Sequence, residues 1–284
     1  LPGRASLSQV LAACDRTQAQ FAANKASGPI ALSVRQAGAR SRRGSVHESG
    51  SLRLRFPNTD AATLEAVILN TAGGMTGGDR FGIDIDVEEN ARLLLTTTSA
   101  EKIYRSLQDD VTIDVRLKVG GGGHLAWLPQ ETILFDRARY SRRIDVDLAP
   151  DASLVLAEAV VFGRTAMGET VRQGYLADRW RVRRGGKLIF AENVRLDGDI
   201  DRKLAATAVA KGGMAVATIL IAPGADSQAE AVRALNGLCG EAAISCWNGI
   251  AVARFCAPDG ASLRHDICAA LAALDVPLPR LWLN

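Results

Sequence analysis

Glu158 and Glu192 sit in strand-like runs at positions whose neighbours two residues away are apolar. Side chains two apart along a β-strand point to the same face. In Ser153 to Phe162, Glu158 therefore shares its side with Leu154, Leu156 and Val160; in Lys187 to Leu196, Glu192 shares its side with Leu188, Phe190, Val194 and Leu196. If those sides are the core, both carboxylates face inward, where an ionised group without partners costs several kcal/mol. Two arrangements would compensate them: an ion pair with an arginine, or an internal water-filled passage walled by carboxylates and hydroxyls. Thr97 and Ser99 extend such a wall, because they continue the side of Leu93 and Leu95. Paired carboxylates are also the equipment of a general acid and base, so a β-solenoid or sandwich hydrolase is the enzymatic alternative.

Other chemistries lack their residues. The run NTAGGMTGGDR, Asn70 to Arg80, carries Gly73, Gly74, Gly77 and Gly78, which permit close backbone approach. A phosphate loop would need Lys and then Ser or Thr after its last glycine; here Asp79 follows Gly78 and would repel phosphate. A strand-like segment, Phe81 to Val87, comes next instead of the helix a dinucleotide site requires. The four glycines thus read as a tight strand-to-strand crossing, and Gly120 to Gly123 as a hairpin turn. His47, His124 and His265 are scattered, with no nucleophile signature nearby, and His124 reads as a turn-edge residue. No HxxxH, HExxH or paired-cysteine spacing suggests a closed thiolate and imidazole metal site. No tight metal site and no bound cofactor are expected.

The elements that must position these residues are mostly strands. Leu52, Leu54 and Phe56 alternate with arginines, Ile83, Ile85 and Val87 with aspartates, and Val111 to Val119 and Trp180 to Val182 follow the same period of two. Segments beginning at Ile83, Ile113 and Ile144 resemble one another at spacings of 30 and 31 residues: an alternating strand, a polar turn, then a more apolar strand. Such units bury their faces by stacking, which predicts a mainly β protein of solenoid-like layers; ordinary hairpins in a sandwich are the alternative. Helical period occurs at Asp201 to Lys211, Gln228 to Leu238 and Ser262 to Leu274, with strands at Met214 to Ile221 and Ile250 to Cys256. One continuous domain over residues 1–284 is expected, β-layered over about 30–196 and α+β over about 197–284. Ala37 to Gly50, rich in Arg, Ser and Gly, reads as a mobile loop.

Composition narrows the class. The 284 residues are 48% apolar and 23% charged with a net charge of +3, which fits a folded core and argues against a nucleic-acid partner, as does an aromatic content of 5%. Of the 34 basic residues 28 are arginine, a side chain suited to planar, partly buried ion pairs. Five cysteines without a CxxC pair point to a reducing cytoplasm. Leu11 to Cys14 looks like a lipoprotein cleavage box, yet Leu1 to Val10 is too polar for a signal peptide's apolar region. The apolar runs are too short for a membrane-spanning helix.

Five ordered motifs resemble the UreD/UreH family of urease accessory proteins: AGGMTGGDR (Ala72 to Arg80), TTTSAEKIYRS (Thr96 to Ser106), LAWLPQETILF (Leu125 to Phe135), FGRTAMGE (Phe162 to Glu169) and LPRLWLN (Leu278 to Asn284). The resemblance implies a non-enzymatic scaffold of stacked β-sheets that binds apo-urease and helps deliver nickel to it, together with UreF and the GTP-hydrolysing UreG. It also implies an internal tunnel as the nickel route. On that route Asp79 matches the GGD of the first motif, Thr97 and Ser99 the Thr/Ser segment, Glu158 and Glu192 the acidic positions of later strands, and Glu169 the end of GRxxxGE. Oxygen ligands such as Asp79, Glu158 and Glu192 in a wet passage would hold nickel loosely enough to release it, whereas Cys and His would trap it. Arg280 and Trp282, beside the helix at Ser262 to Leu274, are candidates for a partner-binding surface, with an ordinary core helix as the alternative.

Overall fold

Alternation with a period of two makes the strands, and the repeat of the strand–turn–strand unit stacks them as parallel coils. In the computed structural model, residues 25–59, 61–106, 108–164 and 167–283 are described; Leu11 to Cys14 lies outside them. A seven-stranded sheet has the spatial order β14 (Lys187–Asp199), β13 (Gln173–Arg184), β11 (Arg139–Leu148), β8 (Val111–Val119), β5 (Arg80–Val87), β1 (Ser27–Ala37), β2 (Arg40–Glu48). A ten-stranded sheet faces it, in the order β16 (Glu241–Trp247), β17 (Ile250–Ala257), β15 (Ala215–Ala222), β12 (Ser153–Phe162), β9 (His124–Trp127), β6 (Arg92–Thr97), β4 (Leu64–Asn70), β3 (Leu52–Arg55). The short strands β7 (Glu101–Ile103) and β10 (Thr132–Leu134) join beside β12.

The chain passes from one sheet to the other in each coil: β5 to β6, β8 to β9, β11 to β12. Coil pairs with coil in parallel in both sheets. Ile83 lies opposite Val115 and Val115 opposite Ile144, while Leu93, Leu125 and Leu154 stack in the other sheet. Successive coils therefore repeat after 32 and 29 residues, a slip of two from the spacing legible in the sequence. A slip of two leaves each side chain on its original face, so the inward set is unchanged. The expected hairpin turn at Gly120 to Gly123 is instead a corner between the sheets, because β8 pairs with β5 and β11 while β9 pairs with β6 and β12. The expected loop at Ala37 to Gly50 is instead part of the antiparallel β1–β2 hairpin. Its polar composition reflects an edge strand, since β2 is bonded on one side and largely solvent-facing.

Beyond β12 the pairing turns antiparallel, through β15 and β17 to β16. Three helices, α1 (Ile200–Ala205), α2 (Asp226–Arg233) and α3 (Gly260–Ala273), follow late in the chain. Strand β12 is apolar on both faces because both are covered. Leu154, Leu156, Val160 and Phe162 enter the core between the sheets, while Val155, Ala157, Ala159 and Val161 join an outer core with Leu263, Ile267 and Leu271 of α3. That helix is a core helix. Trp282, offered as a partner-binding residue, is buried in the same outer core, donating Nε1–H to Thr96 Oγ1 at 3.1 Å; Arg280 is exposed. Among the described residues no helix is long and apolar enough to cross a membrane.

Candidate functional site

Glu158 projects from β12 into the space between the sheets and meets Arg142, which projects from β11 of the facing sheet. The two form a buried ion pair. Parallel pairing sets Arg142 beside Asp178 of β13, and the guanidinium binds that carboxylate through two nitrogens, Nε at 3.0 Å and Nη2 at 2.6 Å. Each carboxylate takes a further hydrogen bond from an indole: Trp127 Nε1–H donates to Glu158 Oε1 at 2.8 Å and Trp180 Nε1–H to Asp178 Oδ1 at 3.0 Å. Arg142, Glu158 and Asp178 are all buried, and two acids share one cation. Burial pushes the Glu158 carboxyl up, with Arg142 opposing and Asp178 adding to the rise. Burial also works against the Arg142 charge, but Asp178 and Glu158 outweigh it and hold the guanidinium above its ordinary value.

Two cavities meet at this ion pair. One, of about 430 Å³, is lined by Arg142, Glu158, Asp178, Glu192, Thr218 and Arg254, among others. The other, of about 60 Å³, has Thr97, Glu101, Gln130 and Thr132 in its wall together with the same Arg142 and Glu158. Of the two compensations open to an inward carboxylate, the ion pair with arginine is formed at Glu158, which also borders both cavities. Both cavities are lined mostly by apolar side chains with these polar groups set among them, and the larger has room for water beside the polar ones. In the smaller cavity, Glu101 accepts from Asn70 Nδ2 at 3.1 Å, and burial raises its carboxyl above the usual range.

The other sequence-derived residues are distributed unevenly around this centre. Glu192 lies on the edge strand β14, with Oε1 accepting from Arg254 Nη1 at 2.6 Å and Oε2 buried without a hydrogen-bond partner. Its neighbours Leu188 and Val194 are exposed, so this side of β14 is the rim of the core. Thr97 is buried at the end of β6, where its hydroxyl accepts from Gln130 N at 2.9 Å. Ser99 falls outside the wall: β6 ends at Thr97, the alternation stops there, and Ser99 is exposed in the following bend. Asp79 is buried but lines neither cavity; its carboxylate accepts the backbone N–H groups of Ala26 at 2.9 Å and Thr76 at 2.8 Å, tying the glycine run together. Glu169 lies in a surface loop and pairs with Arg164 at 2.7 Å. The glycines are structural: a Cβ on Gly74 would lie 2.4 Å from the Tyr104 ring, and one on Gly77 1.9 Å from Ser106 Oγ.

Arg142 and Asp178 escaped the reading of the sequence although the same parity rule reaches them. Arg142 continues the side of Tyr140, Ile144 and Val146, and Asp178 that of Leu176, Trp180 and Val182.

A family model described as UreD urease accessory protein matches residues 26–283. The chain is 58% identical over 268 residues to the urease accessory protein UreD of Rhodopseudomonas palustris strain HaA2, covering 94% of this chain and 96% of that protein. It is 55% identical over 269 residues to the urease accessory protein UreD of Bradyrhizobium diazoefficiens, covering 94% and 98%. Identity to the urease accessory protein UreD 3 of Bradyrhizobium sp. strain BTAi1 is 55% over 266 residues, covering 93% and 96%.

Proposed function

From the premise that this chain belongs to the UreD family of urease accessory proteins, we propose that it is a cytoplasmic scaffold that binds apo-urease, UreF and UreG and passes nickel toward urease through its interior. Proteins of this family are maturation factors and not enzymes, which removes the hydrolase alternative. The arginine clamp on Glu158 agrees, because a carboxylate locked to a guanidinium is poorly placed to shuttle protons.

One observation carries the passage reading: Arg142 and Glu158 are the shared wall of two cavities, each with carboxylate or hydroxyl groups among its apolar lining. A divalent cation entering the larger one would meet the unpartnered Glu192 Oε2, then the Glu158 and Asp178 carboxylates, then the oxygens of Thr97, Glu101 and Gln130. These are hard oxygen ligands, none grouped into a closed shell, so each step would bind weakly enough to release. Arg142 is the gate in this scheme, since its guanidinium and a passing cation compete for the same two carboxylates.

The test is a Glu158→Ala, Glu192→Ala double variant carried through urease activation with the partners present. Assembly, followed by co-purification, should persist while the nickel content of urease falls. A double variant that assembles and loads urease normally would exclude these residues from the route.

A further inference from the structure

We infer that Cys239, His265 and Asp266 form a second, surface-accessible site for a divalent transition-metal ion of the Ni²⁺ or Zn²⁺ type. It goes beyond the interior passage and does not depend on it. One ligand atom from each, a thiol sulfur, an imidazole nitrogen and a carboxylate oxygen, lies within 4.8 Å of the other two. A tetrahedral ion bonded to such ligands at about 2.0–2.3 Å would set them about 3.3–3.8 Å apart, so small side-chain rotations close the shell.

The backbone fixes this geometry. His265 and Asp266 belong to α3, and Cys239 belongs to the connection leading into β16. Asp266 is fully buried, and its two oxygens accept the N–H groups of Cys239 at 2.8 Å and Gly240 at 2.9 Å, which lashes the cysteine-bearing segment to the helix. No ion pair to Asp266 is found among the described residues, and each oxygen keeps a lone pair beyond its amide bond. A buried carboxylate held only by neutral donors lacks a countercharge, and a metal ion at this point would supply one.

Ligand chemistry selects the ion. Thiolate with imidazole and one carboxylate suits borderline divalent ions and not Mg²⁺ or Ca²⁺, which demand oxygen. On coordination the thiol releases its proton to solvent. Three protein ligands leave a fourth position open, and Cys239 and His265 are both exposed, so the ion could exchange with water or a partner's ligand. No short spacing motif marks this trio, because Cys239 lies 26 residues before His265 and meets it only through the fold.

The full-length chain should be titrated with Co²⁺ as a spectroscopic probe and with Ni²⁺ by calorimetry. The expected result is a thiolate-to-cobalt charge-transfer band in the near ultraviolet that C239S abolishes and C246S leaves intact, with Ni²⁺ affinity at this site falling at least tenfold in both C239S and H265Q. Both substituted positions are exposed, and circular dichroism confirms folding. Absence of the band from the unsubstituted chain, its persistence in C239S, or unchanged Ni²⁺ binding in both variants would overturn the site.

Discussion

Arg142 from the seven-stranded sheet reaches across the core to Glu158 of the ten-stranded sheet while holding Asp178 on the neighbouring strand of its own sheet. One cation thus bridges the two layers within a largely apolar core, as Arg254 and Glu192 do at its rim. The arrangement carries an imbalance, two acids for one base, and it stands where two cavities converge. Stability and the proposed passage of nickel therefore draw on the same three side chains.

Removing the cation should cost more than removing one acid. Arg142→Met leaves two buried carboxylates supported only by indole N–H groups, and breaking a buried pair in this way costs about 3–5 kcal/mol. Glu158→Gln leaves Arg142 its two bonds to Asp178, so the loss should stay near that of a hydrogen bond to a charged group, about 1.5–3 kcal/mol. Urea unfolding of the two variants should rank them in that order. The reverse ranking would mean that Asp178 is not the principal partner of the guanidinium.

Within the glycine run, Gly77 and Gly73 should respond differently. An added Cβ at Gly77 would lie 1.9 Å from Ser106 Oγ and 2.4 Å from the Asp109 carbonyl oxygen, so Gly77→Ala forces the two segments apart at a cost of about 1–3 kcal/mol. Gly73 meets nothing within 4 Å, and Gly73→Ala carries only the cost of its φ of +73°, about 1 kcal/mol. Thermal unfolding should separate the pair, with Gly77→Ala melting lower.

Much of this architecture was legible because strand parity is a local property. Leu154, Leu156 and Val160 announce the inner face of β12, and Glu158 on that face announces its burial. Parity could not reveal which residue would meet Glu158, since Arg142 arrives from the other sheet through the coil geometry. It also failed where a strand ended, at Ser99, and where edge strands need little apolar surface, as in β2. The Trp282 side chain lies at the end of the chain and finds Thr96 through packing that no local pattern encodes. Cys239 and His265 are the extreme case, two polar side chains whose only relationship is three-dimensional.

The cap of α3 links acid stability to the proposed metal site. Asp259 is the N-cap residue, accepting the Ser262 backbone N–H at 2.8 Å and its hydroxyl at 3.1 Å. Those bonds, the backbone one foremost, hold its carboxyl below the usual range. A depressed folded-state value means the contribution is present above the unfolded-state value, about 3.9, and is lost as pH falls through the folded-state one. Asp259→Ala should therefore destabilise the protein by about 1 kcal/mol near neutral pH, the usual cost of losing such a cap, and the gap to the parent should narrow as the solution is acidified below pH ~4. Urea midpoints measured across that range test the sign. Because the cap anchors the helix that carries His265 and Asp266, the same variant should weaken Co²⁺ binding less than C239S does, since fraying the first turn displaces the ligands without removing any of them.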